Sequence, residues 1–198
     1  VPTLGRVAVM GAGAVGSWCG GMLARAGHAV TLIGRPAHVQ AVRRDGLRLQ
    51  AAAFDERLPM AADTEAAAVR GADLVLCAVK SGDTDTAAQA MRPHLAPQAL
   101  VLSLQNGVDN ADRLRAALPG QPVRAAVVYV AVELAAPGHV RHHGRGELVV
   151  EPGDGGDAAL DVLRVAGVPV SVSPDVRRAL WVKLVVNCAY NALSAITQ

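Results

Sequence analysis

The sequence predicts an α/β fold, a mostly parallel sheet covered by helices and followed by one long helix. Three observations lead there. Short apolar runs alternate with helical segments, and Gly and Pro stand at the joints. A glycine cluster, Gly11-Ala12-Gly13-Ala14-Val15-Gly16, falls directly between the first apolar run and the first helical segment. With 198 residues, 52% of them hydrophobic, the chain can also bury a substantial core.

Strands are predicted at Arg6–Met10, Ala29–Ile33, Asp73–Val79, Ala99–Leu104 and Val123–Val132. The first helix spans about Ala14–Ala26 and ends at Gly27, which can take the left-handed cap; the second runs from Pro36 to just before Gly46. Leu47–Met60 reads as a small inserted hairpin, with a third helix beginning near Asp63. Beyond Val132, Gly138, Gly144 and Gly146 punctuate two β-like runs, His139–His143 and Glu147–Val150, expected as antiparallel strands that finish the sheet. A polar loop at Gly153–Gly156, a helix at about Ala158–Ala166 and a strand at Val168–Val172 follow. Ser173-Pro174-Asp175 then carries the marks of a helix start: a capping hydroxyl, a proline at the first position and an acid in the first turn.

No residue breaks that last helix before Gln198, so it would extend some 37 Å. A helix of that length with an apolar stripe needs a covering partner. The expected organisation is therefore a domain over 1–172 and, over 173–198, the first helix of an incomplete helical domain, covered by further chain or by a second copy in a homodimer.

Composition excludes several classes. Lys and Arg number 19 against 17 Asp and Glu, a net charge of +2, which offers no nucleic-acid groove and no polybasic membrane anchor. Aromatics are 3% of the chain, too few for a base-stacking platform. Cys19, Cys77 and Cys188 form no CxxC pair, so neither a disulfide framework nor a cysteine zinc site is expected, and a reducing cytoplasm is the default. The uncharged run Val7–Ala24 holds five glycines and divides into strand, turn and helix, against its reading as a membrane span or signal peptide. HExxH, G-x-S-x-G and glycosidase-type acid pairs are absent from the sequence, and His142-His143 would point to opposite faces of a strand, so no metal is expected.

The glycine cluster fits G-x-G-x-x-G in the context that gives the pattern meaning, after a strand and before a helix. Gly11 would allow the tight turn and Gly13 would let a pyrophosphate approach the backbone. Gly16 would let the helix close on the strand, while the amides of Ala14 and Val15 face the anion at the helix N-terminus. A Rossmann-like dinucleotide-binding domain is the reading. At the end of the second strand the sequence is Thr31-Leu32-Ile33-Gly34-Arg35, with no carboxylate for a ribose 2′-hydroxyl; Arg35 suits the 2′-phosphate of NADP(H) instead, the alternative being a solvated arginine. Lys80 and Asn106 fall at the carboxyl ends of two further strands, the edge where open parallel sheets form their ligand crevice.

In the last helix Lys183, Asn187 and Asn191 recur at i, i+4 and i+8 and share one face. One ammonium and two amides in a row form a donor-rich strip suited to a small anion such as a 2-oxo acid; a polar face turned to water is the alternative.

Together with Val79-Lys80, Gln105-Asn106-Gly107 and the β region from Gly138 to Val150, the stretch Lys183-Leu184-Val185-Val186-Asn187-Cys188-Ala189-Tyr190-Asn191 resembles the 2-dehydropantoate 2-reductase (ketopantoate reductase) family. The likeness runs along nearly the whole chain, and K-x-x-x-N-x-x-x-N is its specific element. It implies NADPH-dependent reduction of 2-dehydropantoate to pantoate in pantothenate and coenzyme A biosynthesis. By resemblance Gly11, Gly13 and Gly16 lie on the cofactor pyrophosphate and Arg35 at the 2′-phosphate. Lys80 and Asn106 lie near the nicotinamide and substrate, Lys183 is the general acid, and Asn187 and Asn191 contact the substrate. The resemblance also implies a downstream helical domain with a serine and a glutamate for the substrate. Two other readings stay open, a reductase of another small branched 2-oxo acid and a non-catalytic NADP-binding sensor module.

Overall fold

The computed structural model describes residues 5–153 and 157–196, the side chains of 191–195 excepted. From 154 onward the expected polar loop lies outside the described residues. Nine strands form one continuous path, with a tenth on its flank.

The first strand, β1 (Arg6–Met10), leads through Gly11 into helix α1 (Ala14–Arg25) and back along β2 (Ala29–Ile33), parallel to β1. Helix α2 (Pro36–Asp45) starts on a proline and stops at Gly46, whose φ of 79° is open to glycine at little cost. The hairpin β3 (Leu47–Ala51) and β4 (Phe54–Leu58) follows as predicted. The helix expected from Asp63 is not there. Ala61–Asp63 is strand β5, parallel to β2, and a single 3₁₀ turn at Ala66–Val69 makes the crossover. Pairing of Thr31 with Ala61 and the bond from the Gly34 amide to the Asp63 carbonyl override the helical bias of the alanines, and the left-handed Gly71 ends the turn.

Strands β6 (Leu74–Cys77) and β7 (Leu100–Ser103) flank α3 (Thr84–Met91), and α4 (Asn110–Ala117) leads to the long β8 (Val123–Ala136). The order β5-β2-β1-β6-β7-β8, all parallel, is that of the doubly wound dinucleotide fold, with its switch point between β1 and β6. Strand β9 (His139–Val150) returns antiparallel to β8 as one strand, where two runs were expected. Its register with β8 skips Gly146 and His143, so two bulges absorb the glycines that read as a break. After α5 (Ala158–Val165), β10 (Val170–Val172) adds in parallel to the second half of β9.

The last helix, α6 (Val176–Ile196), begins two residues later than the proline suggested; the Ser173 hydroxyl accepts from the Asp175 amide at 3.1 Å in the turn before it. Val176 and Leu180 anchor α6 against Ala111, Ala125 and Val127. Its other side exposes Trp181, Val182, Val185, Val186 and Tyr190. No helix among the described residues is long and apolar enough to cross a membrane.

The central strands bury both faces. Val7, Val9, Leu74, Leu76 and Leu102 pack toward Trp18, Cys19 and Leu23 of α1 and Leu160 and Leu163 of α5. Ala8, Val75, Cys77 and Val101 pack toward Ala88 and Met91 of α3 and Leu114 of α4. Each fully buried leucine contributes about 1.5–3 kcal/mol of transfer free energy, and that two-sided core fixes the carboxyl ends of β1, β6 and β7 relative to one another.

Candidate active site

The three glycines of the β1–α1 turn have three different surroundings. Gly11 has a φ of 101°, and a Cβ there would fall 2.5 Å from the Val79 amide nitrogen, because the turn presses on the chain leaving β6. At Gly16 a Cβ would lie 2.4 Å from the Gly11 carbonyl oxygen and 2.8 Å from Val9, so α1 can approach β1 only without a side chain. Gly13 faces open space, with no atom within 4 Å of where a Cβ would stand. It is also the N-cap of α1 and has no side chain to bond the first helical amides, so those of Ala14 and Val15 point outward unpaired by the helix. A bare backbone floor beside a helix N-terminus fits a pyrophosphate in both shape and charge.

Arg35 stands at the N-cap of α2, just past the end of β2, and Lys80 just past β6. Both are exposed, and while their carbonyls accept from the Val39 and Asp83 amides, their side chains make no hydrogen bond or ion pair with a described residue. Asn106, just past β7, is tied into a polar hub. Its carbonyl accepts from Ser81 Oγ at 2.7 Å and from Asn110 Nδ2 at 2.8 Å. Beneath it the buried Gln105 donates to Thr84 Oγ1 at 2.7 Å and to the Val79 carbonyl at 3.2 Å, and Thr84 donates to Asn110 Oδ1 at 3.0 Å. These bonds clamp the loops that carry Lys80 and Asn106. The sequence reading quoted Gln105 only as part of a motif and missed Ser81, Thr84 and Asn110; the recurrence of Asn four residues after Asn106 was the available signal.

Lys183 reaches across from α6 to this rim. Its Nζ donates to Asn106 Oδ1 at 2.8 Å and to the Val128 carbonyl, and it lies 5.7 Å from the centroid of the Tyr129 ring. Partial burial, and then the nearby Arg145 guanidinium, hold its ammonium below the ordinary lysine value. A lysine so placed is a better proton donor near neutral pH than a solvated one. Asn187 is half-buried one turn further along α6. The side chain of Asn191 lies outside the described residues. Tyr129 and Arg145, both beside Lys183, carried no sequence signal that was used.

Cys77 Sγ donates to Gln105 Oε1 at 3.7 Å, and neither buried cysteine offers a ready thiolate. Burial pushes the Cys19 thiol up to about 12 and the Cys77 thiol to about 11, and Cys188 is exposed on α6. Among the described residues no group of three or more His, Cys, Asp or Glu is arranged to hold a metal.

The six-stranded order and the glycine turn at its switch point define a Rossmann-type α/β protein with a crevice at the carboxyl edge of its sheet. Comparison with known families then assigns it more closely. Residues 7–155 match the family model described as ketopantoate reductase PanE/ApbA, and the chain belongs to that family. A 2-dehydropantoate 2-reductase of Halobacterium salinarum is 38% identical over 96% of this chain and 65% of its own length. Among solved structures, a PanE/ApbA family ketopantoate reductase from Ralstonia eutropha is 64% identical over 98% of this chain and 64% of its own, with a TM-score of 0.93. A D-mandelate dehydrogenase solved with NADH and anilino(oxo)acetate is 26% identical over 92% of this chain, with a TM-score of 0.82. The chain thus spans somewhat less than two thirds of the length of these relatives.

Proposed function

We propose that this chain is the cofactor-binding part of an NADPH-dependent reductase that converts 2-dehydropantoate to pantoate, with Lys183 as general acid. The observation that carries this reading is the bond from Lys183 Nζ to Asn106 Oδ1, which holds an ammonium at the strand edge that also bears the glycine turn.

NADPH, when bound, supplies a hydride to the ketone carbon. Gly13 and the amides of Ala14 and Val15 would receive its pyrophosphate, and Arg35 its 2′-phosphate; the carboxylate of Asp63, which pairs with Ile33 at the end of β2, is engaged by Arg43 at 3.0 Å. Lys80 and Asn106 would border the nicotinamide and substrate. As the ketone is reduced, negative charge grows on its oxygen. The Lys183 ammonium stabilises that oxygen and then donates its proton, giving the hydroxyl of pantoate and a neutral amine that is reprotonated from solvent. The amide groups of Asn187 and Asn191 would orient the substrate. Activity requires the protonated amine, so the rate should fall as pH rises through the Lys183 pKa, and that limb should lie below the ordinary lysine range.

The test is oxidation of NADPH on addition of 2-dehydropantoate, measured on the protein with its native downstream sequence and compared with benzoylformate. Faster consumption with 2-dehydropantoate supports the assignment. Preference for benzoylformate would move the substrate to the aryl class of the mandelate dehydrogenase neighbour, and binding of NADPH without turnover of either acid would favour a sensor.

A further inference from the structure

Among the described residues only one non-glycine residue has a positive φ, Arg145 at 59°. It lies between Gly144 and Gly146 in β9, and the two skipped residues, His143 and Gly146, place a bulge on each side of the Gly144-Arg145 pair. Bulges turn a strand locally and re-aim its side chains, and a left-handed backbone is strained for a residue that is not glycine. The distortion is built in. The Arg145 carbonyl accepts from His142 Nε2 at 2.6 Å, and the His142 ring stacks at 4.2 Å on buried Trp18 of α1.

The result is a guanidinium laid over the Tyr129 ring, its Cζ 4.6 Å from the centroid, beside the ring that Lys183 also approaches. Arg145 Nε lies 3.4 Å from Glu147 Oε2, whose oxygen already accepts from the Gly146 amide. The two terminal nitrogens of Arg145 make no hydrogen bond with a described residue, and the side chain is 61% exposed. An arginine held over an aromatic ring, its Nε ion-paired with Glu147 and its two terminal nitrogens open, can receive a further carboxylate.

We propose that Arg145 recognises the carboxylate of the 2-oxo acid while Lys183 addresses the neighbouring carbonyl oxygen, so that the β9 bulge sets specificity for anionic substrates. This rests on the reductase reading. A 2-oxo acid carries its carboxylate on the carbon next to the reacting carbonyl, and two cations flanking Tyr129 match that pairing of charges. Because the guanidinium and the amine are both cationic, Arg145 also favours release of the Lys183 proton, and a bound carboxylate offsets that effect.

Arg145→Asn removes the cation while keeping a residue that tolerates the left-handed backbone, and Arg145→Lys keeps a cation. Arg145→Gly, which relieves the backbone, serves if the Asn variant fails to fold. Steady-state kinetics of the protein with its native downstream sequence should show KM for 2-dehydropantoate raised about tenfold or more in Arg145→Asn, with kcat and the NADPH Kd within about threefold of wild type. Arg145→Lys should recover much of the loss. A KM within about twofold of wild type in both cationless variants, a defect confined to kcat, or Arg145→Lys no better than Arg145→Asn would overturn the proposal. A wild-type protein that consumes no NADPH with any 2-oxo acid overturns the reductase reading and this proposal with it. Normal wild-type turnover with an unresponsive KM overturns only the role of Arg145.

Discussion

At the scale of single residues, the placement of several proposed site residues is readable because it depends on local spacing. Four-residue spacing put Lys183 and Asn187 on one face of a helix, and a strand end followed by Gln105-Asn106-Gly107 put Asn106 on the carboxyl edge; the structure joins Lys183 to Asn106 at 2.8 Å. Arg145 escaped notice because glycines on both sides of it read as punctuation, and only the register of β9 against β8 reveals two bulges instead. The link between Thr84 and Asn110 escaped notice because it joins segments 26 residues apart, although the four-residue step from Asn106 to Asn110 was a local signal. Arg35 makes the cofactor preference testable at this scale. In Arg35→Asp a carboxylate would face the 2′-phosphate, so the Kd for NADPH should rise roughly tenfold or more while that for NADH changes little. Parallel titrations by fluorescence read this out, and an equal effect on both cofactors would remove Arg35 from the 2′-phosphate site.

At the scale of elements, local pattern predicted the β1–α1–β2 unit to within a residue, since the glycine turn, Gly27 and Pro36 each mark a boundary. Strand β5 was missed because three residues of Ala and Asp have no strand signal of their own and become a strand through pairing with β2. Between elements, His38 of α2 is the tie. Its Nδ1 accepts from the Gly138 amide in the β8–β9 turn at 3.0 Å, so the proton sits on Nε2, which donates to Ser17 of α1 at 3.1 Å. Burial holds its pKa below the usual histidine value, and the fold therefore binds the neutral ring. The unfolded chain takes up a proton near pH 6.5 before the native one does, so stability should be level above about pH 7 and decline as pH falls below about 6.5. Urea midpoints across that range should show this decline, with a shallower slope in His38→Gln, whose side chain has no proton to gain; identical slopes would exclude His38 as the source. The same variant should lose about 1–3 kcal/mol at neutral pH, through strain or loss at one of its two bonds.

At the scale of the whole molecule, six parallel strands in dinucleotide-fold order carry the glycine turn, Arg35, Lys80 and Asn106 on one edge, and the β8–β9 ribbon extends the sheet toward α6. Alternation of strands and helices made that plan legible, and the positions of these proposed site residues follow from where the strands end. The α6 face bearing Trp181, Val185 and Tyr190 is exposed, and the relatives are about half as long again as this chain. The amine of Lys183 joins the two sides of the crevice, so its removal is the most direct test. With the native downstream sequence present, Lys183→Ala should bind NADPH within about twofold of wild type while its kcat for 2-dehydropantoate falls by at least about a hundredfold, the range ascribed to a positioned general acid. Turnover at the wild-type rate in that variant would contradict the assignment of Lys183 as the proton donor.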